Sequence, residues 1–290
     1  MRTDPRVGAA FFKAHGHGND YLVFEEGSDL TLSPDRIRGL CDRWRGVGGD
    51  GIVVVGPGSD GYAANLRMFN PDGSEFERSG NGLRVAALWL RDQGRVGRDP
   101  FRVMVSGDEI EMVVGEGSVP TVRVDMGPVT FPQGPPFVRP GVVDAMGQVP
   151  IEVGVEALPV AVGNPHAVVF GPGWGRVDLA RVGPLVSGHA SFPEGTNVQI
   201  VHEVGDRSLS ILIWERGVGR TTASGTSACA AAAAAVCTHR IASGPVDVTM
   251  EGGSFRVTVD ESFRVVLEGP VEAVCSGWVD ERWRLWAGEP

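Results

Sequence analysis

Two stretches of the sequence decide the fold: SGNGLRVAALWLRDQG at residues 79–94 and SGTSACAAAAAAV at residues 224–236. Each begins with Ser-Gly, and serine is a favoured N-cap because its hydroxyl accepts a hydrogen bond from a first-turn N–H group. Apolar residues follow at helical spacing in the first stretch and almost without interruption in the second. We therefore predict that each stretch forms a helix that begins at its serine.

Short apolar segments surround both helices and predict β-strands, because they alternate with polar residues and are bounded by turn residues. The predicted strands are Gly51–Val55, Ala64–Phe69, Phe101–Val105, Glu109–Val114 and Thr121–Met126 in the first half, and Leu158–Val162, Ala167–Phe170, Asn197–Glu203, Leu209–Trp214, Val246–Met250, Phe255–Val259 and Phe263–Glu268 in the second.

Each half thus has strands, one central helix and more strands, which predicts a duplicated domain of two similar lobes that face each other across a cleft. We place one lobe at residues 1–128, completed by 271–290, and the other at 129–270, because residues 129–150 are rich in Pro and Gly. The alternative is that two Ser-Gly helix starts arose by chance.

Composition narrows the class of protein. A formal net charge of −10 gives nucleic acid or an anionic membrane no basic surface to bind. The four cysteines form no Cys-x-x-Cys pair, so we expect neither a disulfide framework nor a zinc site, and a reducing cytoplasm fits better. Residues 1–12 lack the long apolar stretch of a signal peptide, and the longest later apolar run is too short to span a bilayer. We expect a cytoplasmic protein.

Lys13 is the only lysine, against twenty-five arginines. A pyridoxal-phosphate enzyme needs a lysine for its Schiff base, and Lys13 lies in a predicted strand that leads into a Gly-rich turn. We therefore do not expect pyridoxal chemistry. We expect no metal site either, because His15 and His17 have no third ligand at a useful spacing.

Six polar, mostly Gly-rich segments lie next to predicted strands or open a predicted helix, where binding groups usually reside. They are KAHGHGND at residues 13–20, FNPDGSE at 69–75, SGNG at 79–82, GNPH at 163–166, EGTN at 194–197 and WERGVG at 214–219.

In this order the six segments resemble the pattern of the diaminopimelate epimerase family of cofactor-independent amino-acid epimerases, over nearly the whole chain. The resemblance implies an α+β fold with pseudo-twofold symmetry, in which each lobe is a mixed or antiparallel sheet wrapped around its central helix. It also implies an isomerase of lysine biosynthesis that binds a small-molecule amino acid between the lobes without cofactor or metal. Dimers in the family lead us to expect a homodimer.

The family's chemistry uses two cysteines, one of which removes the α-proton as a thiolate while the other delivers a proton to the opposite face. Ser79 and Ser224 occupy those two positions here. A serine hydroxyl is less acidic than a thiol and needs an adjacent base. By resemblance, His166 and Glu215 flank these positions, and we predict that they are the working acid–base groups. The alternative is that both serines act only as N-caps.

The resemblance also assigns substrate contacts. First-turn N–H groups at both helix starts would hold the α-carboxylate, because a helix N-terminus attracts negative charge. Other polar side chains would line the site, and Arg216 suits a distal carboxylate because its planar fork donates two bonds. The predicted binding residues are Asn19, Asn70, Gly80, Asn81, Asn164, Asn197, Arg216, Gly225 and Thr226.

We therefore predict an epimerase or racemase of an amino acid with a second polar end, with conversion of LL- to meso-diaminopimelate as the leading candidate. Three alternatives stay open from the sequence. One is a dehydratase or isomerase on the same scaffold. Another is an amino-acid-binding protein without catalysis. The third is an epimerase whose two cysteines were deliberately replaced by serine.

Overall fold

The computed structural model describes residues 8–27, 32–59, 61–77, 79–280 and 283. The chain divides into two compact units. Unit 1 is Met1–Val124 with Gly269–Pro290, and unit 2 is Asp125–Glu268. Within the described residues, no helix has the length and apolarity that crossing a bilayer requires.

Within the described residues, β-strands outnumber helices, and both are numbered in chain order. In that order they are β1 (Gly8–Gly16), β2 (Asn19–Glu25), α1 (Pro34–Cys41), β3 (Gly51–Val55), β4 (Ala64–Phe69), β5 (Glu75–Phe76), α2 (Gly80–Asp92), β6 (Phe101–Val105), β7 (Asp108–Val114), β8 (Thr121–Pro128), β9 (Val149–Glu152), β10 (Val155–Ala161), β11 (Pro165–Phe170), α3 (Arg176–Ser187), β12 (Asn197–Val204), β13 (Ser208–Glu215), β14 (Gly219–Thr221), α4 (Gly225–Cys237), β15 (Gly244–Met250), β16 (Gly253–Val259), β17 (Arg264–Pro270) and β18 (Glu272–Asp280).

In unit 1 the sheet surrounds α2. Strand β1 pairs antiparallel with β18 on one side and with β2 on the other. The sheet continues with β2–β3 parallel, β3–β4 antiparallel, β4–β6 parallel, and β6–β7 and β7–β8 antiparallel, while β5 forms a short antiparallel pair with β4. Helix α2 contacts β1, β2, β3 and β7, and all its residues from Gly80 to Leu90 are buried.

Unit 2 repeats these pairings in the same order. Strand β10 pairs antiparallel with β9 and β11, and β11–β12 is parallel. The pairs β12–β13 and β13–β14 are antiparallel, β13–β15 is parallel, and β15–β16 and β16–β17 are antiparallel. Helix α4 contacts six of these strands. The predicted duplication, with a sheet wrapped around one central helix in each unit, is confirmed.

Serine hydroxyls start both central helices, as predicted. Ser79 has an extended backbone (φ −128°, ψ 130°), and its Oγ accepts a hydrogen bond from the Gly82 amide at 3.2 Å. Ser224 is also extended (φ −153°, ψ 124°), and its Oγ accepts from the Ser227 amide at 3.4 Å. The alanines of α4 explain how strands can cover it on several sides: residues 228–235 are all buried, and small side chains let the sheet approach closely.

Two further helices were not predicted from the sequence. Helix α1 begins at Ser33, whose Oγ accepts from the Arg36 amide at 3.3 Å, and Pro34 occupies its first turn, so a helix-start signal was present. Helix α3 contains Pro184, a residue that normally argues against a helix interior. Gly175 at its N-cap has no side chain to cap the helix. The Asp178 carboxylate stabilises this helix start by accepting a hydrogen bond from the Gly175 amide at 2.8 Å.

Candidate active site

Three of the predicted site residues of unit 1, namely Ser79, Gly80 and Asn81, lie at the start of α2. Ser79 is half-buried, its Oγ caps the helix, and its backbone N–H lies 3.2 Å from the Met68 sulfur. Gly80 and Asn81, in the first turn, are buried. The first N–H groups of an α-helix have no partner within the helix, so this turn can bind an anion.

Asn81 and Asn19 form one hydrogen-bonded pair, although 62 residues separate them in the sequence. Asn81 Nδ2 donates to Asn19 Oδ1 at 2.7 Å, and Asn19 Nδ2 donates to Asp50 Oδ2 at 3.1 Å. On the other side, the Arg84 guanidinium donates to Asn81 Oδ1. Two predicted binding residues therefore belong to one network, together with Asp50 and Arg84, which were not among the predicted site residues.

Asp20 is the centre of a charged cluster beside this network. Lys13 Nζ lies 2.9 Å from Asp20 Oδ2, and Arg43 bridges Asp20 and Asp50 with both contacts at 2.7 Å. Burial by itself would raise the pKa of Asp20, but the hydrogen bonds from Arg43 and Lys13 outweigh it and lower the pKa to about 2. Lys13 also donates to the Gly48 carbonyl at 2.9 Å, so its ammonium is held by structural contacts.

Asn70 stands apart from this network among the described residues. It lies in the turn after β4, where its Nδ2 donates to Ser74 Oγ at 3.0 Å and its backbone N–H donates to the Ser74 carbonyl at 2.9 Å. Asp72 accepts from the Ser74 amide and holds the same turn. The predicted role of Asn70 in binding stays a prediction.

In unit 2, Ser224 caps α4 and Thr226 lies beside it. The Ser224 and Thr226 hydroxyl oxygens are 3.4 Å apart, and Gly225 between them is buried. The start of α4 therefore presents two hydroxyl groups together with first-turn N–H groups. The three predicted residues are neighbours, as their sequence positions require.

His166 is buried, and both of its ring nitrogens have partners. Nε2 lies 2.9 Å from Asn164 Oδ1, and Nδ1 lies 3.0 Å from Gln199 Nε2. Gln199 Nε2 also donates to Ser227 Oγ in the first turn of α4, at 3.0 Å. Burial lowers the pKa of His166 to about 3, and the positive charge of Arg216 acts in the same direction, so the ring is neutral at pH 7.

Because an amide nitrogen only donates, its contact to Nδ1 places the imidazole proton on Nε2, from which Asn164 Oδ1 accepts. Gln199 Oε1 is buried and has no hydrogen-bond partner among the described residues. The predicted acid–base role of His166 stays a prediction. Because the Gln199 NH2 group faces Nδ1, a proton on Nδ1 would require the Gln199 amide to rotate so that its oxygen faces the ring.

Asn197 and Arg216 are brought together on unit 2. The Arg216 backbone N–H donates to Asn197 Oδ1 at 3.0 Å, and Asn197 Nδ2 donates to the Pro165 carbonyl at 3.0 Å. Arg216 is exposed, and its Nη1 donates to the Glu194 carbonyl at 3.0 Å. Asn197 therefore links strand β11 to the turn that carries Arg216.

Glu215 lies close to the start of α4 along the chain. Its Oε1 accepts from the Thr221 hydroxyl at 2.8 Å, and Thr221 precedes Ser224 by three residues. The carboxyl side chain is half-buried. Two acid–base groups were predicted. Glu215 contacts Thr221, which is three residues from Ser224, whereas His166 contacts Asn164 and Gln199, which are farther from Ser224 in the sequence.

The sequence held signals for the four residues that were missed. Asp50 lies in a Gly-Gly-Asp-Gly turn before a strand, like the six segments quoted above. Gln199 and Arg84 are polar residues in otherwise apolar stretches of a strand and a helix. Ser227 follows Ser224 by three residues, one helical turn. Among the residues that the structure describes, no three His, Cys, Asp or Glu side chains are grouped as metal ligands.

The fold, with its two similar units, is similar to that of solved structures of epimerases and isomerases. The chain is similar to the structure of a hydroxyproline epimerase from Agrobacterium vitis, with a TM-score of 0.67 and 16% identity, over 96% of this chain and 94% of that one. It is similar to a methylitaconate-delta-isomerase, with a TM-score of 0.63 and 12% identity, over 95% and 96%. The fold is therefore that of this class of epimerases and isomerases.

Comparison of amino-acid sequences identifies the family within this class. The profile of the family described as diaminopimelate epimerase matches residues 11–132 and 159–274. The diaminopimelate epimerase of Desulforudis audaxviator is 39% identical over 285 residues, covering 93% of this chain and 99% of the relative, and that of Pelotomaculum thermopropionicum is 38% identical over 277 residues, covering 92% and 97%. The chain belongs to the diaminopimelate epimerase family, and its class is that of the isomerases that racemise or epimerise amino acids.

Proposed function

We propose that this chain converts LL- to meso-diaminopimelate in lysine biosynthesis, by proton transfer at one α-carbon without a cofactor. The observation that carries the proposal is the repeated helix start: in each unit a serine hydroxyl and first-turn N–H groups stand together at the N-terminus of the central helix. The choice of substrate is supported by the sequence similarity of this chain to diaminopimelate epimerases.

The helix starts supply what the reaction needs at the substrate α-carboxylate. Removing the α-proton moves negative charge onto this carboxylate, and N–H groups at a helix N-terminus stabilise such charge. The proposed donors are Gly80 and Asn81 in unit 1, and Gly225 and Thr226 in unit 2. Glycine at the first position of both helices keeps a side chain away from the carboxylate.

Arg216 and Asn197 would bind the distal end of the substrate. Arg216 is exposed, and its Nη1 donates to the Glu194 carbonyl. The other N–H groups of the guanidinium would bind a carboxylate through two parallel hydrogen bonds. Asn197 holds the backbone of Arg216 and so orients the turn from which the guanidinium extends.

Proton transfer is the demanding step for serine. Glu215 is the proposed base for the Ser224 side, because Thr221 connects its carboxylate to the segment that leads into α4. On the Ser79 side, the hydroxyl accepts a hydrogen bond from the Gly82 amide and so acts as an N-cap. We therefore propose slow turnover whose limiting step involves Ser79.

Proton NMR in D2O tests the function directly. Purified protein is incubated with LL-diaminopimelate, and loss of the α-proton signal and formation of the meso isomer are followed. The matched control is the Ser79→Ala, Ser224→Ala double variant, which keeps both helices but has no hydroxyl at either position. Exchange faster than in this control, with meso product, is the expected result. Equal rates in the two proteins would disprove turnover by the serines.

A second candidate function is binding of diaminopimelate without turnover. It is favoured by a specific observation: both serine oxygens already accept hydrogen bonds from helix N–H groups, which is the role of a structural N-cap. Calorimetric titration with LL-diaminopimelate separates the two candidates. Binding together with the absence of α-proton exchange would establish the second function and reject the first.

We also propose a cytoplasmic location and a homodimer. The four cysteines are free thiols in the structure, which suits a reducing compartment. The dimer is supported by the family resemblance alone. Sedimentation of the purified protein would test it, and a monomer at micromolar concentration would contradict it.

A further inference from the structure

Among the described residues, Arg84 is the largest fully buried side chain, with 0% of its surface exposed. Its guanidinium donates to three acceptors at the start of α2 and next to it: Asn81 Oδ1, the Gly80 carbonyl at 3.2 Å and the Pro270 carbonyl at 3.3 Å. The backbone of Gly16 packs directly against these side chains, because a Cβ on Gly16 would lie only 2.9 Å from Asn81 Oδ1. A buried cation is thus built into the first turns of the central helix of unit 1.

The network that starts at Arg84 has a defined direction. A guanidinium can only donate, so the Asn81 atom that faces it must be the oxygen. Asn81 then presents its NH2 group to Asn19, which must face it with oxygen. At the other end, a carboxylate such as that of Asp50 accepts hydrogen bonds, so it also requires the NH2 group of Asn19. Both ends of the network impose the same orientation on both amides.

Asp50 is itself held in place as an acceptor. Its Oδ1 accepts from Arg43 at 2.7 Å, and its Oδ2 accepts from the Asp20 amide at 3.1 Å as well as from Asn19. These donors fix the direction of the carboxylate. The network therefore runs from one charged, donor-only group to one charged, acceptor-only group.

We propose that Arg84 and Asp50 are positioning residues that fix the amides of Asn81 and Asn19 with their NH2 groups as donors. Each NH2 group uses one hydrogen within the network and keeps a second hydrogen for a ligand. The second hydrogen of Asn81 and the first-turn N–H groups of α2 together form a surface of donors. Such a surface binds a carboxylate and disfavours a ligand that presents N–H groups in the same place.

The identity of the ligand, the diaminopimelate α-carboxylate, rests on the proposed function. The orientation of the amides does not, because it follows from the ligand-free contacts. The two claims can therefore fail separately, and the experiment uses one measurement without ligand and one with it.

The ligand-free measurement is hydrogen exchange at the asparagine NH2 groups of 15N-labelled protein. In the unchanged protein, one NH2 hydrogen of Asn19 and one of Asn81 should exchange at least about tenfold more slowly than an exposed amide. Asp50→Ala should release the hydrogen of Asn19 and leave that of Asn81 slow, because Arg84 still orients Asn81. The Arg84→Met, Asp50→Ala double variant should release both.

Asn65 is the internal control, since its Nδ2 donates to the Pro57 carbonyl at 2.7 Å in the same unit. An unchanged exchange rate at Asn65 shows that a variant remains folded. Fast exchange at Asn19 and Asn81 in the unchanged protein would overturn the proposal. Release of Asn81 by Asp50→Ala alone would also overturn it, because Arg84 would then not orient that amide.

The measurement with ligand is the affinity for LL-diaminopimelate by calorimetry. Arg84→Met should weaken binding at least about tenfold, while Arg84→Lys, which keeps a donor-only cation, should stay within about threefold of the unchanged protein. Equal affinities for Arg84→Met and the unchanged protein would overturn the positioning role. If the unchanged protein does not bind diaminopimelate, the proposed function fails, and the exchange measurement still decides the orientation of the amides.

Discussion

By the family resemblance, Ser79 and Ser224 would place an alcohol where the family's chemistry uses a thiol, and a helix start affects these two kinds of group differently. A cysteine at a helix N-terminus has a lowered pKa and supplies thiolate near neutral pH, whereas a serine there stays a hydroxyl and caps the helix. The local geometry serves capping in this chain, and under the proposed function the same geometry would serve catalysis with sulfur. The chemistry at this scale is decided by one atom in each unit.

The Ser79→Cys, Ser224→Cys double variant tests this argument. We expect α-proton exchange of LL-diaminopimelate to rise at least about 100-fold over the unchanged protein, because thiolates replace alcohols at both positions. The rate is measured by proton NMR in D2O. Ser33→Cys is the matched control, since Ser33 caps α1 in the same way. A double variant no faster than Ser33→Cys would show that these positions are not the catalytic ones.

His166 makes a prediction about pH and stability. Its pKa is about 3 in the folded protein and near 6.5 when unfolded, so between these values the unfolded chain binds more protons. Stability from this group is thus complete above pH 6.5 and is lost as the pH falls towards 3. We expect its contribution to the free energy of unfolding at pH 5 to be about 2 kcal/mol lower than at pH 8.

Urea unfolding at pH 8 and pH 5 measures this difference, with His166→Gln as the comparison. The variant cannot bind the proton, so its stability should fall less between the two pH values. Asp20 acts in a lower window, because its pKa of about 2 removes stability only as the pH falls below its ordinary value of 3.8. An equal loss of stability in the variant and the unchanged protein would contradict the assignment to His166.

At the scale of elements, α4 depends on small side chains more than on helix amphipathicity. Its alanines at residues 228–235 are all buried, so every face of this part of the helix meets protein. Such a helix leaves no space for added methyl groups, since protein interiors are close-packed. The covering strands therefore set the size of the side chains that α4 can carry.

Ala231→Leu should consequently destabilise the protein by about 1–3 kcal/mol through overpacking. The free energy of unfolding in urea gives the magnitude. Val177→Leu is the control, because Val177 lies on α3 and is largely exposed, and a surface change of this kind stays within about 0.5 kcal/mol. Similar stabilities for the two variants would mean that α4 is less tightly enclosed than its burial indicates.

At the scale of the whole molecule, one arrangement of strands and helices is used twice, and each copy contributes one N-capped central helix. The described residues include no cluster of metal ligands, and Lys13, the only lysine, is held by Asp20 and the Gly48 carbonyl. The predicted site residues of both units supply hydroxyls, amides and backbone N–H groups, and unit 2 adds His166, Glu215 and the exposed Arg216. These groups suit proton transfer and carboxylate binding.

Chelation and replacement of Lys13 test this reading of the whole molecule. We expect α-proton exchange to be unchanged after EDTA treatment, and Lys13→Arg to retain it within about threefold, because arginine preserves the cation beside Asp20. Both rates are measured by NMR in D2O with LL-diaminopimelate. Loss of exchange on EDTA treatment that added divalent metal restores would reveal a metal requirement. Loss in Lys13→Arg alone would reveal a role for the amine itself.

Much of the fold followed from neighbouring residues in the sequence. The two N-capped helices and most strands depend on capping and on apolar periodicity, which act within a few residues and can be recognised without knowledge of the rest of the chain. The repeated layout of strands around one helix also indicated the duplicated domain, and the order of the six polar segments indicated the family. Helix α3 was missed because the local effect of Pro184 argues against a helix, and packing against the sheet outweighs it.

The tertiary structure alone decided how the site residues are connected. Asn19 and Asn81 are 62 residues apart in the sequence, and His166 and Gln199 are 33 apart. Their contacts depend on which strands pair and in which register, and no local pattern specifies this. Amide direction at Asn81 and the neutral state of His166 follow from those contacts and from burial. The sequence by itself therefore determined which groups the chain offers, and folding determined which atoms donate, accept or hold a proton.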